Sequence, residues 1–128
     1  MNFDYAEHRR DRRLRKRLLQ ALHAVRVRPE GGWVTGRFAF DLVDGAQPGG
    51  ERFESDIHAL GLLRDLVNSH YAQERDDRPT REPFTLESVS YRVTAAGTAV
   101  VLELTDPDPL LEDSRDRPRR SPDWATGV

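Results

Sequence analysis

The chain has 128 residues, with 20 basic and 22 acidic side chains, a net charge of −2 and no cysteine. That length fills one hydrophobic core, the near balance of charge gives no global pull toward a polyanion, and the missing thiols exclude disulfides, thiolate metal sites and cysteine nucleophiles. Charge is unevenly placed: residues 1–30 carry nine basic groups against four acidic ones, a net of +5 that leaves −7 for the remainder. The four histidines, His8, His23, His58 and His70, lack the spacing with carboxylates that a zinc site needs. No apolar run approaches the roughly 20 residues of a membrane span, and no small-residue cleavage site follows the arginine-rich start. The expectation is a cytoplasmic protein with no cofactor, no metal and no membrane partner.

From residue 5 to residue 25, Leu14, Leu18, Ala21, Leu22 and Val25 recur at steps of three and four and define the inner stripe of a first helix. Pro29, Gly31 and Gly32 end it. Residues 33–43 fit two periods, since Val34, Phe38 and Leu42 suit a helix while Val34, Phe38, Phe40 and Leu42 also alternate as in a strand. Thr35 as a cap and Gly45, Pro48, Gly49 and Gly50 as a stop favour a second helix over 36–44. Phe53, Ile57, Leu60, Leu63 and Val67, with Leu66 beside them, give the strongest helical pattern of the chain, a third helix over about 52–69. A charged turn over 76–81 follows, and then Val89, Tyr91 and Val93 alternate with Ser88, Ser90 and Arg92 as in a half-buried strand. Thr94 caps a fourth helix over 95–104, which Pro107 and Pro109 stop. The domain is therefore 1–110, and 111–128 reads as a charged tail without the apolar periodicity to pack, in which Trp124 stands out. The expected core is Leu18, Leu22, Phe38, Leu42, Ile57, Leu60, Leu63, Val67, Tyr91, Val93 and Val100.

This order, two helices joined by a glycine-rich turn to a third, then strand, charged tip, strand and last helix, is the winged helix-turn-helix order. The stretch Leu62-Leu63-Arg64-Asp65-Leu66-Val67-Asn68-Ser69-His70-Tyr71-Ala72 resembles a recognition helix running into the first wing strand. Likewise Tyr91-Arg92-Val93-Thr94-Ala95-Ala96-Gly97 resembles the second wing strand meeting the last helix of winged-helix regulators. The chain is also similar to the small winged-helix proteins of Mu-like phages and prophages. The resemblance spans roughly residues 10–104 and implies an α+β, mainly helical winged-helix fold. It further implies a DNA-binding transcriptional regulator or a phage or mobile-element accessory protein, with double-stranded DNA as partner.

On that reading Arg9, Arg12, Arg13 and Arg17, within a run of seven basic residues between Arg9 and Arg17, hold phosphates. Against it stands an ordinary solvated face, paired in part with Glu7 and Asp11. Ser55 and His58 near the start of the third helix can meet base edges, with Arg52 beside them a further DNA-binding candidate, or this face is plain surface, since Glu51, Glu54, Asp56 and Asp65 outweigh Arg52 and Arg64 there. In the wing, Arg75, Arg78 and Arg81 can enter a groove or pair with Glu74, Asp76, Asp77 and Glu82. Trp33 and Tyr91 can stack on a base, although aromatic residues in such settings are more often core members. No Ser, His and Asp set forms a catalytic motif, and His58 and Asp65, seven residues apart, are out of mutual reach, so no enzyme is expected. The alternative class is a winged-helix protein-interaction module, binding a partner protein or a second copy as a homodimer, whose acidic third helix meets a basic surface.

Overall fold

A computed structural model describes residues 5–80 and 82–113. Arg81, Trp124 and most of the expected tail lie outside the described residues. The described residues form an α+β arrangement of four α-helices and a small antiparallel sheet: α1 (Tyr5–Ala24), a 3-10 turn (Pro29–Gly32), β1 (Val34–Thr35), α2 (Gly36–Val43), α3 (Asp56–Asn68), β2 (Ala72–Asp76), β3 (Val89–Val93) and α4 (Ala95–Val101). The sheet order is β1-β3-β2, which puts β3 in the middle. This arrangement is compatible with the winged-helix expectation.

Leu14, Leu18, Leu19 and Leu22 are fully buried along α1, as their spacing requires, and meet Leu63 and Leu66 of α3, Leu86 of the hairpin loop, and Val89 and Tyr91 of β3 in one core. The ambiguity of residues 33–43 resolves in favour of both periods. Val34 and Thr35 pair with Tyr91 and Ser90 as a two-residue edge strand, and Thr35 then caps α2, its hydroxyl accepting the Phe38 N–H at 3.1 Å. The sheet of the described residues therefore has three strands where two were expected. At the other end Thr94 caps α4 by accepting the Gly97 N–H at 3.0 Å, and its own hydroxyl donates to the His70 carbonyl at 2.6 Å.

Helix α3 departs from expectation in start and in rotation. It begins at Asp56 rather than near residue 52 because Ser55, in extended backbone, caps it, and because the Phe53 N–H is held at 2.9 Å by the Asp44 carboxylate. Its buried side is Ala59, Leu62, Leu63 and Leu66, so Leu62 is 3% exposed while Ile57, expected in the core, is 80% exposed. Two apolar stripes share this helix, and the one that faces the leucines of α1 is the one buried. Leu42, also expected inside, is 43% exposed, because Ala39 and Val43 are the residues of α2 that turn inward. Leu60, Val67, Phe38 and Val93 pack only partly buried against the core. Helix α4 stops at Val101, short of residue 104, and Glu103 beyond it takes a left-handed φ of 57°. Packing also passes the expected boundary at 110, for Leu111 and Glu112 are both buried.

Gly97 shows how tightly α4 is set. A Cβ there would stand 2.2 Å from the Tyr71 carbonyl oxygen, so any side chain must push α4 off the start of β2.

Candidate nucleic-acid interface

The basic run of α1 is engaged within the fold. Arg10 bonds Glu54 at 2.9 Å and Asp11 at 3.2 Å, Arg13 bonds Glu51 at 2.9 Å, and Arg15 bonds Asp65 at 2.8 Å. Lys16 reaches the buried Glu112 at 3.0 Å, Arg12 lies 3.7 Å from Asp113, and Arg17 lies 3.8 Å from Glu51 and donates to Gln47 at 3.2 Å. Arg9 is likewise engaged. The acids come from the approach to α3, from α3 itself and from residues 112–113, so the run clamps those segments onto α1. The Arg13 bond holds Glu51 below the ordinary carboxylate value against the opposing effect of burial.

Ser55 and His58 face the same clamp. Ser55 accepts the His58 N–H at 3.1 Å. The His58 ring takes the Glu54 N–H on Nδ1 at 3.0 Å, which makes Nε2 the protonated nitrogen and the donor to Asp11 at 2.8 Å. With its side chain 14% exposed, His58 is a strut between α3 and α1. Arg52 is 71% exposed and 3.4 Å from Asp44.

In the hairpin, Arg75 bonds Asp77 and Arg78 bonds Asp76, each at 2.6 Å, and these bonds lower both aspartates below their ordinary values. Arg78 also stacks on Phe84, as does Arg64 of α3, which bonds Glu74 at 2.9 Å. Of the two aromatic candidates, Tyr91 is a core residue whose phenol is held protonated by burial and by Glu74 opposite it.

Trp33 is different. The guanidinium of Arg75 lies 4.8 Å and that of Arg92 4.7 Å from its ring centre, and the Arg92 Nε donates to Gln73 at 2.5 Å. Arg28 lies 4.6 Å from the ring centre of Phe38. The loop carrying Arg26 and Arg28 folds back here through consecutive left-handed residues Glu30, Gly31 and Gly32. Gly32 thereby lies against the Arg26 backbone, and Gly31 beside the Arg92 guanidinium. Arg26 bonds the His23 carbonyl at 2.7 Å. Among the described residues, Arg26, Arg28 and Arg92 have no carboxylate within ion-pairing distance, and Glu30 is the acid of their loop. Sequence reasoning passed over Arg26, Arg28 and Arg92 because they are scattered, whereas the dense run drew attention to α1. The one signal was Trp33, whose neighbours are set by strand pairing.

Among the described residues no group of three or more His, Asp or Glu is placed to hold a metal ion, and no helix is long and apolar enough to cross a membrane. Among the described residues, a pocket of about 60 Å³ lies between α1, α4 and Leu111, and a shallow groove of about 360 Å³ lies between α1 and α2. No family model matches the chain, and neither a curated protein nor a solved structure is detectably similar to it.

Proposed function

We propose that this is a non-enzymatic winged-helix protein that binds duplex DNA by its phosphate backbone, through the outer face of the sheet and the loop before β1. The observation that carries the reading is the group Arg26, Arg28 and Arg92, which lacks carboxylate partners in a chain whose α1 cations are paired. Arg28 and Arg92 are pre-oriented by stacking on Phe38 and Trp33, which leaves N–H edges for phosphate oxygens and reduces the ordering cost of contact. Arg75, stacked on the same indole, adds to this face once its bond to the exposed Asp77 is exchanged. The arginine run of α1, Ser55 and His58 serve the fold in this account.

The test is a titration of labelled duplex and single-stranded oligonucleotides with three forms of the protein. The joint change Arg28→Ala and Arg92→Gln should weaken binding about tenfold or more at fixed low salt with helicity intact, and Arg52→Ala should leave it unchanged. Loss of binding in the exposed Arg52 variant alone would return the contact to the approach of α3. A second reading, a module that binds a protein, is favoured by one observation, the 80% exposure of Ile57 on α3.

A further inference from the structure

Strand pairing sets Arg75 of β2 directly opposite Ser90 of β3, and the period of two along a strand puts Asp77, just past β2, on the same outer face of the sheet. The Asp77 carboxylate uses both of its oxygens there. One accepts from the Arg75 Nε at 2.6 Å, and the other accepts from the Ser90 hydroxyl. The backbone beneath is fixed as well, since the Asp77 N–H donates to the Ser88 carbonyl at 2.9 Å. Ser90 is buried, so its hydroxyl needs an acceptor, whereas the side chains of Asp77 and Arg75 are 31% and 47% exposed. The Arg75 guanidinium lies against the Trp33 ring, which Arg92 also meets.

We infer that Asp77 is a built-in stand-in for a DNA phosphate, holding Arg75 and Ser90 until a backbone phosphate takes both donors from it. This rests on the DNA reading, and adds to it a phosphate subsite and the contact that keeps that subsite closed. A phosphate presents what the carboxylate presents, two anionic oxygens on one centre, so one anion can replace the other on the same two donors. The exchange leaves the buried Ser90 hydroxyl bonded, which a withdrawal of Asp77 without replacement would not. Asp76, the neighbouring acid, is bonded to Arg78 at 2.6 Å, and its charge works against that of Asp77. Arg92, against the same indole as Arg75, adds positive potential beside the subsite. A duplex already held at Arg28 and Arg92 presents its next phosphates at high effective concentration, which a free phosphate ion does not, so the exchange selects a polyanion.

The experiment titrates a labelled duplex oligonucleotide, at one fixed low salt concentration, with the full-length parent, Asp77→Asn, Arg75→Gln and the variant carrying both changes. An amide at position 77 keeps an oxygen for the Ser90 hydroxyl, so the fold persists, as circular dichroism checks, and Asp77→Ser serves as a second variant of the same kind. Asp77→Asn should tighten duplex binding about threefold or more, as expected when an exposed ionic competitor is removed. With Arg75→Gln already in place most of that gain should vanish, because no guanidinium is left to free. Removal of a negative charge as such would help both backgrounds alike. Duplex that neither the parent nor Asp77→Asn binds would overturn the DNA reading and this inference with it. Binding by the parent with no gain in Asp77→Asn, or an equal gain with and without Arg75, would overturn the inference alone.

Discussion

Glu51 is bonded to Arg13 and lies near Arg17, and its lowered proton affinity makes it a carboxylate that folding prefers ionised. A group whose folded value is depressed gives stability that is present above its unfolded value and is lost as pH falls through the folded one. Asp77 and Glu87 are depressed in the same direction, chiefly by bonds to Arg75 and Arg37. His23 is also lowered, by burial first and by the charge of Arg26 second, so folding favours its neutral form. The melting temperature should therefore begin to fall below about pH 6.5 and drop more steeply below about pH 4. Glu51→Gln should lower the neutral-pH value and flatten the acid limb, and an acid limb unchanged by it would show that the Arg13 bond contributes nothing. Gly97→Ala tests a different contact. The clash with the Tyr71 carbonyl should destabilise the protein by about 1–3 kcal/mol in denaturant titration, as overpacking does. The caps at Thr35 and Thr94 were legible in the sequence, because a hydroxyl before an apolar segment has a local purpose. The partners of Arg10, Arg13 and Arg15 were not legible, since they lie 44, 38 and 50 positions away.

Among the elements, α3 separates what a pattern reveals from what packing decides. Its existence followed from periodicity, but 57-60-67 and 59-62-63-66 are both apolar stripes of one helix, and Leu63 fits beside either. Only the position of α1 selects the second. Leu62→Ala should then cost about 2–5 kcal/mol and Ile57→Ala, in dilute solution, less than about 0.5 kcal/mol. The reverse ranking by urea unfolding would show that α3 is turned the other way. The segment 33–43 was ambiguous for an equally physical reason: two strand residues followed directly by a capped helix carry both periods at once. Burial of Leu111 and Glu112 escaped a reading based on composition, since a single leucine and a carboxylate facing Lys16 make no periodic signal.

For the whole molecule, the decisive fact is how charge is spent within the fold. The +5 of residues 1–30 suggested a phosphate-binding helix, yet much of that charge bonds acids of the chain. Composition shows an excess of arginine; only the fold shows which arginines are committed. The proposed DNA contact lies at Arg28 and Arg92, with the Trp33 ring against both Arg92 and Arg75. The most direct test is the dependence of duplex affinity on salt, read for the parent and for Arg28→Ala with Arg92→Gln. Each phosphate contact contributes about 0.9 to the slope of log K against log salt, so the double variant should lose about 1.8. Equal slopes for the two proteins, or no binding of the parent at low salt, would contradict the account.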